Sequence, residues 1–229
     1  VVGACDPNPA HAGRGLDKLR SAGVEVIEAE SELADACADL NLIFNHHIVT
    51  KEPFFALKLA VTADGNVAKR TGSPSTITGP EARTDVMRWR RLFPAIAVGA
   101  GPVQADDPRL TARLPDGEWC PRRIILDGCL SSVPETGTLP RVYADDHRGN
   151  TLVVTGPATS CTEVHRSRLV EAGVALRELP LDASGHFGLM DLRSILAEET
   201  LTGVYFEGGP TVARRLIEGK ALDYLFWYE

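Results

Sequence analysis

The segment AIAVGAGPVQADDPRLTAR, residues 95–113, gives the first indication of the fold. It begins as an apolar strand, runs into a glycine turn, and then presents two adjacent acids, Asp106 and Asp107, with cations at Arg109 and Arg113. An open α/β sheet keeps its ligand just beyond the carboxyl ends of its central strands. The segment therefore predicts such a sheet. Either its carboxylates are placed for chemistry or its arginines are placed for an anionic substrate.

The rest of the chain fits a strand-rich α/β class with a mostly parallel sheet. Strands are predicted at residues 95–98, 123–126, 152–155, 174–179 and 204–206, and helices at 159–171 and 191–198. Several of these strands are near-continuous apolar runs, as expected of a sheet covered on both faces. Alternation of such strands with helices predicts parallel pairing.

A further helix is predicted to begin at a capping box formed by Thr78 and Glu81. Arg83, Arg90 and Arg91 lie off its apolar stripe, and most charges in such positions are simply solvated. Arg83, in the first turns, is the one nearest to whatever the preceding loop surrounds.

The first fifty residues form a separate piece. Strands are predicted there at residues 1–4 and 24–28, and helices at 14–21 and 32–44, with Ser31 as an N-cap. A piece of this size cannot bury a core alone, so it must dock on something else. A boundary near residues 48–53 opens a second unit. Because both ends of the sequence read as the middle of a strand, we expect the chain to be part of a longer protein.

Composition and charge argue against several classes of protein. The chain has 229 residues and a net charge of −7, which argues against a surface that tracks nucleic-acid phosphates. No apolar run approaches the roughly 20 residues needed to span a bilayer. Five scattered cysteines without a C-x-x-C pair favour a reduced, cytoplasmic setting and argue against structural zinc. We therefore expect no nucleic acid, no membrane and no metal to be bound by this chain.

The strand FFALKLAV, residues 54–61, carries a lysine in an unusual place. Lys58 shares one face of the strand with Ala56 and Ala60, which leaves room above the amine. That face is the floor of a pocket, or Lys58 is a solvent-facing residue of an edge strand. The sequence alone leaves both interpretations open.

The segment VYFEGGPTVARRLIEG, residues 204–219, is the second candidate for a ligand site. A buried strand leads to Glu207, two glycines, and then Pro210 and Thr211 at the start of a helix. Glycines allow a backbone to approach an anion, and the free N–H groups of a first helical turn bind phosphate. The alternative is a tight turn that needs glycine for a positive φ. Glu207, at the end of the strand, has no evident structural purpose.

Other site motifs are missing from the sequence. No G-x-G-x-x-G fingerprint follows a strand; GAGPVQ, residues 99–104, resembles half of one, but we expect it to open into the acidic loop rather than a helix. His46 and His47 stand at a predicted helix end, where cations are favoured by the dipole, and are interpreted as capping rather than catalytic.

Five segments in order carry a resemblance to a known family: FFALKLAVTADG, ITGPEAR, AVGAGPVQADDPRLTAR, RRIILDG and YFEGGPTVA. Together they resemble the reductase domain of the bifunctional riboflavin biosynthesis deaminase/reductase, over about residues 53–229. That domain is similar in fold to dihydrofolate reductase. Residues 1–50 resemble the end of the family's cytidine-deaminase-like domain. The zinc ligands of that domain would lie upstream of this sequence, so the resemblance implies no zinc site here.

The resemblance implies a reaction and a cofactor. The family reduces 5-amino-6-(5-phosphoribosylamino)uracil to its ribitylamino product with NADPH. Lys58, Asp106 and Glu207 match positions implied in catalysis or substrate positioning. The substrate-binding set corresponds to Arg83, Leu110, Arg113 and Glu207. The cofactor contacts correspond to Ala60, Thr76, Pro102, Asp106, Gly128, Gly209, Pro210, Thr211, Val212, Ala213, Arg214 and Arg215. Similar proteins are dimers, which implies a homodimer.

The chain departs from the family pattern at two places. Where the family commonly has Ser-x-Trp before ITGPEAR, this chain has Pro74, Ser75 and Thr76, and Pro102 stands where a Thr is usual. These changes are compatible with an altered substrate, a compensated site or an impaired enzyme. Two alternatives to the reductase therefore stay open at this point: a non-catalytic ligand-binding remnant, and a dihydrofolate-reductase-like enzyme acting on another pyrimidine or pterin.

Overall fold

The computed structural model describes residues 1–11, 13–62 and 79–229. The chain divides into two compact units, Val1–Phe54 and Phe55–Glu229. Within the described residues, no helix is long and apolar enough to cross a membrane. No group of three or more His, Cys, Asp or Glu side chains that could hold a metal ion occurs in that part of the chain.

The first unit contains three helices: α1 (Arg14–Ser21), α2 (Ser31–Asp39) and α3 (Leu42–Thr50). The two predicted strands are reduced to one isolated parallel bridge between Val2 and Glu28. The single helix predicted over residues 32–44 is wrong, because α2 ends at Asp39 and a separate helix begins at Leu42. Ser31 is also not the N-cap: it is the first helical residue, and the extended Glu30 precedes it.

Apart from Phe54, the regular strands of the described residues lie in the second unit: β1 (Phe54–Ala60), β2 (Ala95–Gly99), β3 (Ala112–Leu114), β4 (Gly117–Trp119), β5 (Arg122–Leu126), β6 (Thr151–Thr155), β7 (Ala175–Glu178), β8 (Gly203–Phe206) and β9 (Tyr224–Tyr228). Its helices are α4 (Pro80–Leu92), α5 (Ala100–Asp106), α6 (Arg141–Ala144), α7 (Glu163–Glu171), α8 (Leu189–Glu198) and α9 (Pro210–Glu218), with a short 3₁₀ turn at Arg148–Asn150.

Seven of the strands form one sheet in the order β7-β6-β5-β2-β8-β1-β9, and β3 and β4 form a small antiparallel pair. Every pairing in the large sheet whose register is described is parallel, including β2 with β8 and β1 with β9. The predicted α/β fold with a mostly parallel sheet is therefore confirmed. Strand β1 lies between β8 and β9, so the interpretation of Lys58 as an edge-strand residue is wrong.

The core has two layers because successive strand residues point to opposite faces of the sheet. In β2, Ala95 and Ala97 belong to the layer that also contains Phe55, Leu196 and Leu216. Ile96 and Val98, the alternating residues, belong to the layer on the other face, with side chains from α5, α6 and α7. Helices thus cover both faces, which explains the near-continuous apolar strands.

An aromatic cluster fixes α4 against the strands that carry the candidate site. Trp89 packs against Phe226 of β9, with ring centroids 4.5 Å apart, and Phe93 packs against Tyr205 of β8 at 5.1 Å. Helix α4 begins at Pro80 with Gly79 in the capping position, and Thr78 lies outside the described residues. The packing of α4 onto β8 and β9 sets the position of the arginines on this helix.

Two local predictions in the second unit are wrong. Residues 100–106 form helix α5 directly after β2, where an acidic loop was expected. The predicted helix 159–171 begins later, at Glu163, because residues 159–162 form a turn in which the Thr162 hydroxyl accepts a hydrogen bond from the Thr159 N–H.

Candidate functional site

A cleft of about 790 Å³ opens at the carboxyl ends of β1, β2, β5 and β8. Lys58 enters it from β1, Asp106 from the end of α5, and Glu207 from the residue that follows β8. The glycine turn after Glu207 and the first turn of α9 form part of its wall. The location agrees with the rule that ligands of open parallel sheets lie outside the carboxyl ends of the strands.

The carboxylate of Glu207 is nearly enclosed and is held by Arg90 of α4. Arg90 Nε donates to Glu207 Oε1 at 2.5 Å and Nη2 donates to Oε2 at 2.7 Å. The remaining amino group, Nη1, donates to the backbone oxygen of Thr111 at 2.9 Å. The side chains of Arg90 and Glu207 are 11% and 13% exposed, so the pair is largely removed from solvent.

This arrangement sets the ionisation of the acid. Burial alone would raise the pKa of Glu207, but the charge and hydrogen bonds of Arg90, and the charge of Lys58, more than offset it, so the pKa lies below its ordinary value. The pKa of Arg90 is correspondingly raised: burial works against its charge, and Glu207 outweighs that effect. Glu207 is therefore an anion throughout the neutral range.

The same site lowers the pKa of Lys58 too, but for an amine this disfavours the charged form. Burial lowers the pKa of the Lys58 amine, Glu207 partly restores it, and Arg90 lowers it further. An amine whose pKa is reduced in this way gives up its proton more readily than a surface lysine, which is the property required of a general acid.

The turn between β8 and α9 has the form of a phosphate site. Neither Gly208 nor Gly209 has a positive φ, so the alternative of a turn that needs glycine for this reason is wrong. Gly208 is needed for close packing, because a Cβ there would lie 2.6 Å from the Cβ of Val212. A Cβ at Gly209 would make only ordinary van der Waals contact, with Pro102 at 3.8 Å, so this glycine is not needed for packing.

Helix α9 presents its free N–H groups beside this turn. Its first internal hydrogen bond runs from Ala213 N to Gly209 O, so the N–H groups of Thr211 and Val212 are not used within the helix. Thr211 and Val212 line the cleft. An anion at this point would meet two donors and the positive end of the helix dipole.

A positively charged side chain, Arg215, lies in the second turn of the same helix. Arg215 lines the cleft and donates from Nη2 to Asp182 Oδ2 at 2.9 Å and to the Phe187 backbone oxygen at 3.3 Å. These contacts to Asp182 and Phe187 fix the orientation of the guanidinium. Gly128, at the end of β5, lies in the same cleft, and a Cβ there would be 3.1 Å from the side chain of Leu181.

The two acids of the 95–113 segment have different surroundings. Asp106 is exposed and lines the cleft. Asp107 ends α5 with a φ of 41°, and its carboxylate accepts hydrogen bonds from Arg141 N at 2.7 Å and Arg141 Nε at 2.8 Å.

Most of the positions expected from the sequence lie in one place. Those that line the cleft are Lys58, Ala60, Pro102, Asp106, Gly128, Glu207, Gly209, Pro210, Thr211, Val212 and Arg215. Five expected positions are not among the lining residues. Arg83 and Arg214 are exposed, Ala213 is buried in the packing of α9, Leu110 is buried with a φ of 53°, and Arg113 is exposed with Nη1 3.0 Å from Thr111 Oγ1. Thr76, Pro74 and Ser75 lie outside the described residues.

Arg90 is the site residue that sequence reasoning missed, since it was interpreted as a solvated surface charge. The only available signal was its position in the last turn of α4, and nothing in the sequence relates it to an acid 117 positions later. Of the two helix-end histidines, His47 places Nδ1 3.1 Å from the Glu52 backbone oxygen just beyond α3, which agrees with a local capping role.

Comparison with known proteins identifies relatives over nearly the whole chain. The chain is 36% identical over 223 residues to the riboflavin biosynthesis protein RibD of Bacillus amyloliquefaciens, covering 97% of this chain and 57% of that protein. It therefore spans a little over half the length of this curated relative.

Two solved structures share the fold over nearly the whole chain. One is a diaminohydroxyphosphoribosylaminopyrimidine deaminase/5-amino-6-(5-phosphoribosylamino)uracil reductase of Thermotoga maritima, with a TM-score of 0.71 and 32% identity, over 98% of this chain and 57% of that one. The other is Acinetobacter baumannii RibD, with a TM-score of 0.70 and 29% identity, over 97% of this chain and 58% of that one.

The family model described as the RibD C-terminal domain matches residues 53–228, which includes the whole sheet and every lining residue of the cleft. The chain belongs to the RibD C-terminal domain family.

Proposed function

We propose that residues 53–229 are an NADPH-dependent reductase that converts 5-amino-6-(5-phosphoribosylamino)uracil to 5-amino-6-(5-phosphoribitylamino)uracil in riboflavin biosynthesis. The observation that carries the proposal is the convergence of Lys58, Asp106 and Glu207 with a glycine–helix anion turn in one cleft. Membership of the family supports the same reaction, because the related Thermotoga protein is named for it.

The residues of the cleft suit a phosphorylated dinucleotide. Gly209 leaves open space at the backbone, the N–H groups of Thr211 and Val212 are free for a phosphate, and Arg215 adds a fixed positive charge. Gly128, Ala60 and Pro102 line the same space with small or apolar surfaces, as a dinucleotide site requires. These residues would hold the diphosphate and orient the nicotinamide.

When bound, the reduced nicotinamide supplies a hydride. In the proposed reaction the opened sugar presents a C1′=N bond; C1′ takes the hydride, the π electrons move to nitrogen, and nitrogen takes a proton. Lys58 is the group suited to provide that proton, because its amine is partly buried in the cleft and its pKa is lowered. Asp106 would position the reacting groups, and Glu207, an anion, would accept a hydrogen bond from the substrate.

The remaining expectations extend this proposal to the whole protein. We propose that residues 1–50 are the end of a deaminase-like domain whose zinc ligands lie outside this sequence, that the protein is cytoplasmic, and that it acts as a homodimer on a small phosphoribosylaminopyrimidine. Similarity to proteins with deaminase/reductase names supports the first point.

An assay of NADPH oxidation with 5-amino-6-(5-phosphoribosylamino)uracil tests the proposal. Oxidation that depends on this substrate supports it. Binding of NADPH and substrate without turnover would favour a ligand-binding remnant, and turnover only with another pyrimidine or a pterin would favour a different reductase. Lys58→Ala is the matched control, because it should remove turnover in the first case and leave ligand binding unchanged in the second.

A further inference from the structure

The strongest unassigned feature is Arg90, a side chain that lies outside the cleft lining but controls a residue inside it. Its guanidinium uses all three of its nitrogens: two bond both oxygens of Glu207, and the third bonds the Thr111 backbone. A two-point contact of this kind fixes the plane of the carboxylate as well as its position.

The location of the pair argues against a purely structural bridge. Glu207 is the first residue after β8 and lines the cleft, whereas the buried ion pair of Arg123 and Asp145 lies away from the cleft lining and ties several backbone oxygens together. The third contact of Arg90 reaches Thr111, which follows Leu110 in the segment expected to bind substrate. Arg90 therefore links the acid at the end of β8 to that segment.

We propose that Arg90 is a positioning residue that holds Glu207 as an oriented acceptor for a donor group of the substrate and fixes it relative to residues 110–113. The inference rests on the proposed function. A clamped carboxylate keeps two of its four lone-pair positions free, so it can accept from a substrate hydroxyl or N–H but has no proton to give. The proton of the reduction then falls to Lys58 rather than Glu207.

The charged and titratable groups around Glu207 come from four elements. Arg90 on α4 and Lys58 on β1 favour its ionised form, and the tyrosines Tyr205 of β8 and Tyr228 of β9 also interact with it electrostatically. Burial raises the pKa of both tyrosines, so they stay neutral and do not oppose the carboxylate in the assay range. Removal of Arg90 leaves burial opposed by Lys58 alone.

The test compares Arg90→Met, Arg90→Lys and Arg91→Met. Arg91 is the adjacent residue, and its exposed guanidinium bonds Asp116 on the surface, so Arg91→Met is the control and should match the wild type. For Arg90→Met we expect a new acidic limb in the pH profile of kcat/KM, at or above the ordinary glutamate value of 4.5. We also expect the KM for the aminouracil to rise at least about tenfold, with the KM for NADPH little changed.

Arg90→Lys separates charge from geometry. A lysine restores a cation but not the two-point contact, so the acidic limb should be absent, as in the wild type, while the raised KM persists. If Arg90→Met does not fold, Arg90→Lys decides alone: a raised KM supports the proposal, and wild-type kcat and KM overturn it. A lower melting temperature in Arg90→Met with an unchanged pH profile and unchanged KM would indicate a structural bridge and also overturn it.

Failure of the reaction itself can be recognised separately. If the wild type does not oxidise NADPH with this substrate, the proposed function fails. The orienting role is then judged from the carboxyl titration of Glu207, followed by carbon NMR and assigned with Glu207→Gln. A titration that moves upward in Arg90→Met supports the clamp, and one that does not move overturns it.

Discussion

Asp106 and Asp107 are adjacent in sequence but act on different parts of the molecule: Asp106 lines the cleft, while Asp107 ends α5 and binds Arg141. Helix α5 ends at this pair, and Asp107 adopts a left-handed backbone with a φ of 41°. The pair therefore provides a matched comparison of a proposed site residue with a neighbour that is not part of the site.

We expect Asp106→Asn to abolish turnover without loss of the fold, and Asp107→Asn to retain turnover. Asparagine tolerates the left-handed region, and the Asp107–Arg141 contact is about half exposed, so its loss should cost about 1 kcal/mol or less. Steady-state kinetics and thermal melting of both variants check this. Wild-type rates in Asp106→Asn would refute the proposed role of that carboxylate.

Lys58 should control the basic side of the pH profile. The pKa of the Lys58 amine lies below the ordinary value of 10.5, so Lys58 loses its proton at a lower pH than a surface lysine does. Activity should therefore fall as pH rises through that lowered pKa. Lys58→Ala should remove turnover at every pH and leave NADPH binding intact. A profile that stays flat up to the ordinary lysine value would contradict the assignment of Lys58 as the acid.

The glycine turn offers a second matched pair. Gly208→Ala places a Cβ 2.6 Å from Val212, so we expect a loss of about 1–3 kcal/mol in the free energy of unfolding. Gly209→Ala meets only Pro102 at 3.8 Å and has a permitted φ of −64°, so stability should change little. Its methyl group would occupy space proposed for phosphate, and the KM for NADPH should rise. Equal behaviour of the two variants would argue against a phosphate site.

Glu207 should also make stability depend on pH. A carboxylate with a lowered folded pKa contributes stability that is present above its unfolded value, here 4.5, and is lost as pH falls through the lower folded value. Acid unfolding of Glu207→Gln should therefore be less steep in that window than acid unfolding of the wild type. Identical slopes would show that folding does not lower the pKa of Glu207.

Arg113 carries a prediction that rests on the resemblance rather than on the cleft. If it binds the substrate phosphate in the ground state and transition state alike, Arg113→Ala raises KM more than it lowers kcat. Its exposed position, with one hydrogen bond to the Thr111 hydroxyl, means that this change should not affect the fold. Titration of substrate dependence checks it, and an unchanged KM would count against the role.

The strands of the second unit could be read from sequence because burial on both faces leaves a strong apolar pattern. The predicted β5, β6 and β8 agree with the structure to within one residue. In the first fifty residues the helix predicted at 14–21 is confirmed as α1, but the strands and the single helix over 32–44 are wrong, because no helical residue there is buried and the pattern has little tertiary packing behind it.

The candidate site was likewise predictable only in part from the sequence. Lys58 lies near the end of β1, Glu207 directly follows β8, and Asp106 ends the short helix that follows β2, so all three follow from the predicted strands and the ligand rule for open sheets. Arg90 could not be found in this way, because its role depends on how α4 packs onto β9 through Trp89 and onto β8 through Phe93. Long-range ion pairs leave no periodic signal in one sequence.

The place of β1 between β8 and β9 has a consequence for folding while the chain is being translated. The end of β1 and the start of β8 are separated by about 140 residues, which take roughly 7–30 seconds to translate at 5–20 residues per second. During that interval the apolar first strand has neither of its sheet partners. An apolar strand without its partners is prone to aggregation, so we expect mutations that weaken β9 to reduce yield from cells before they reduce activity.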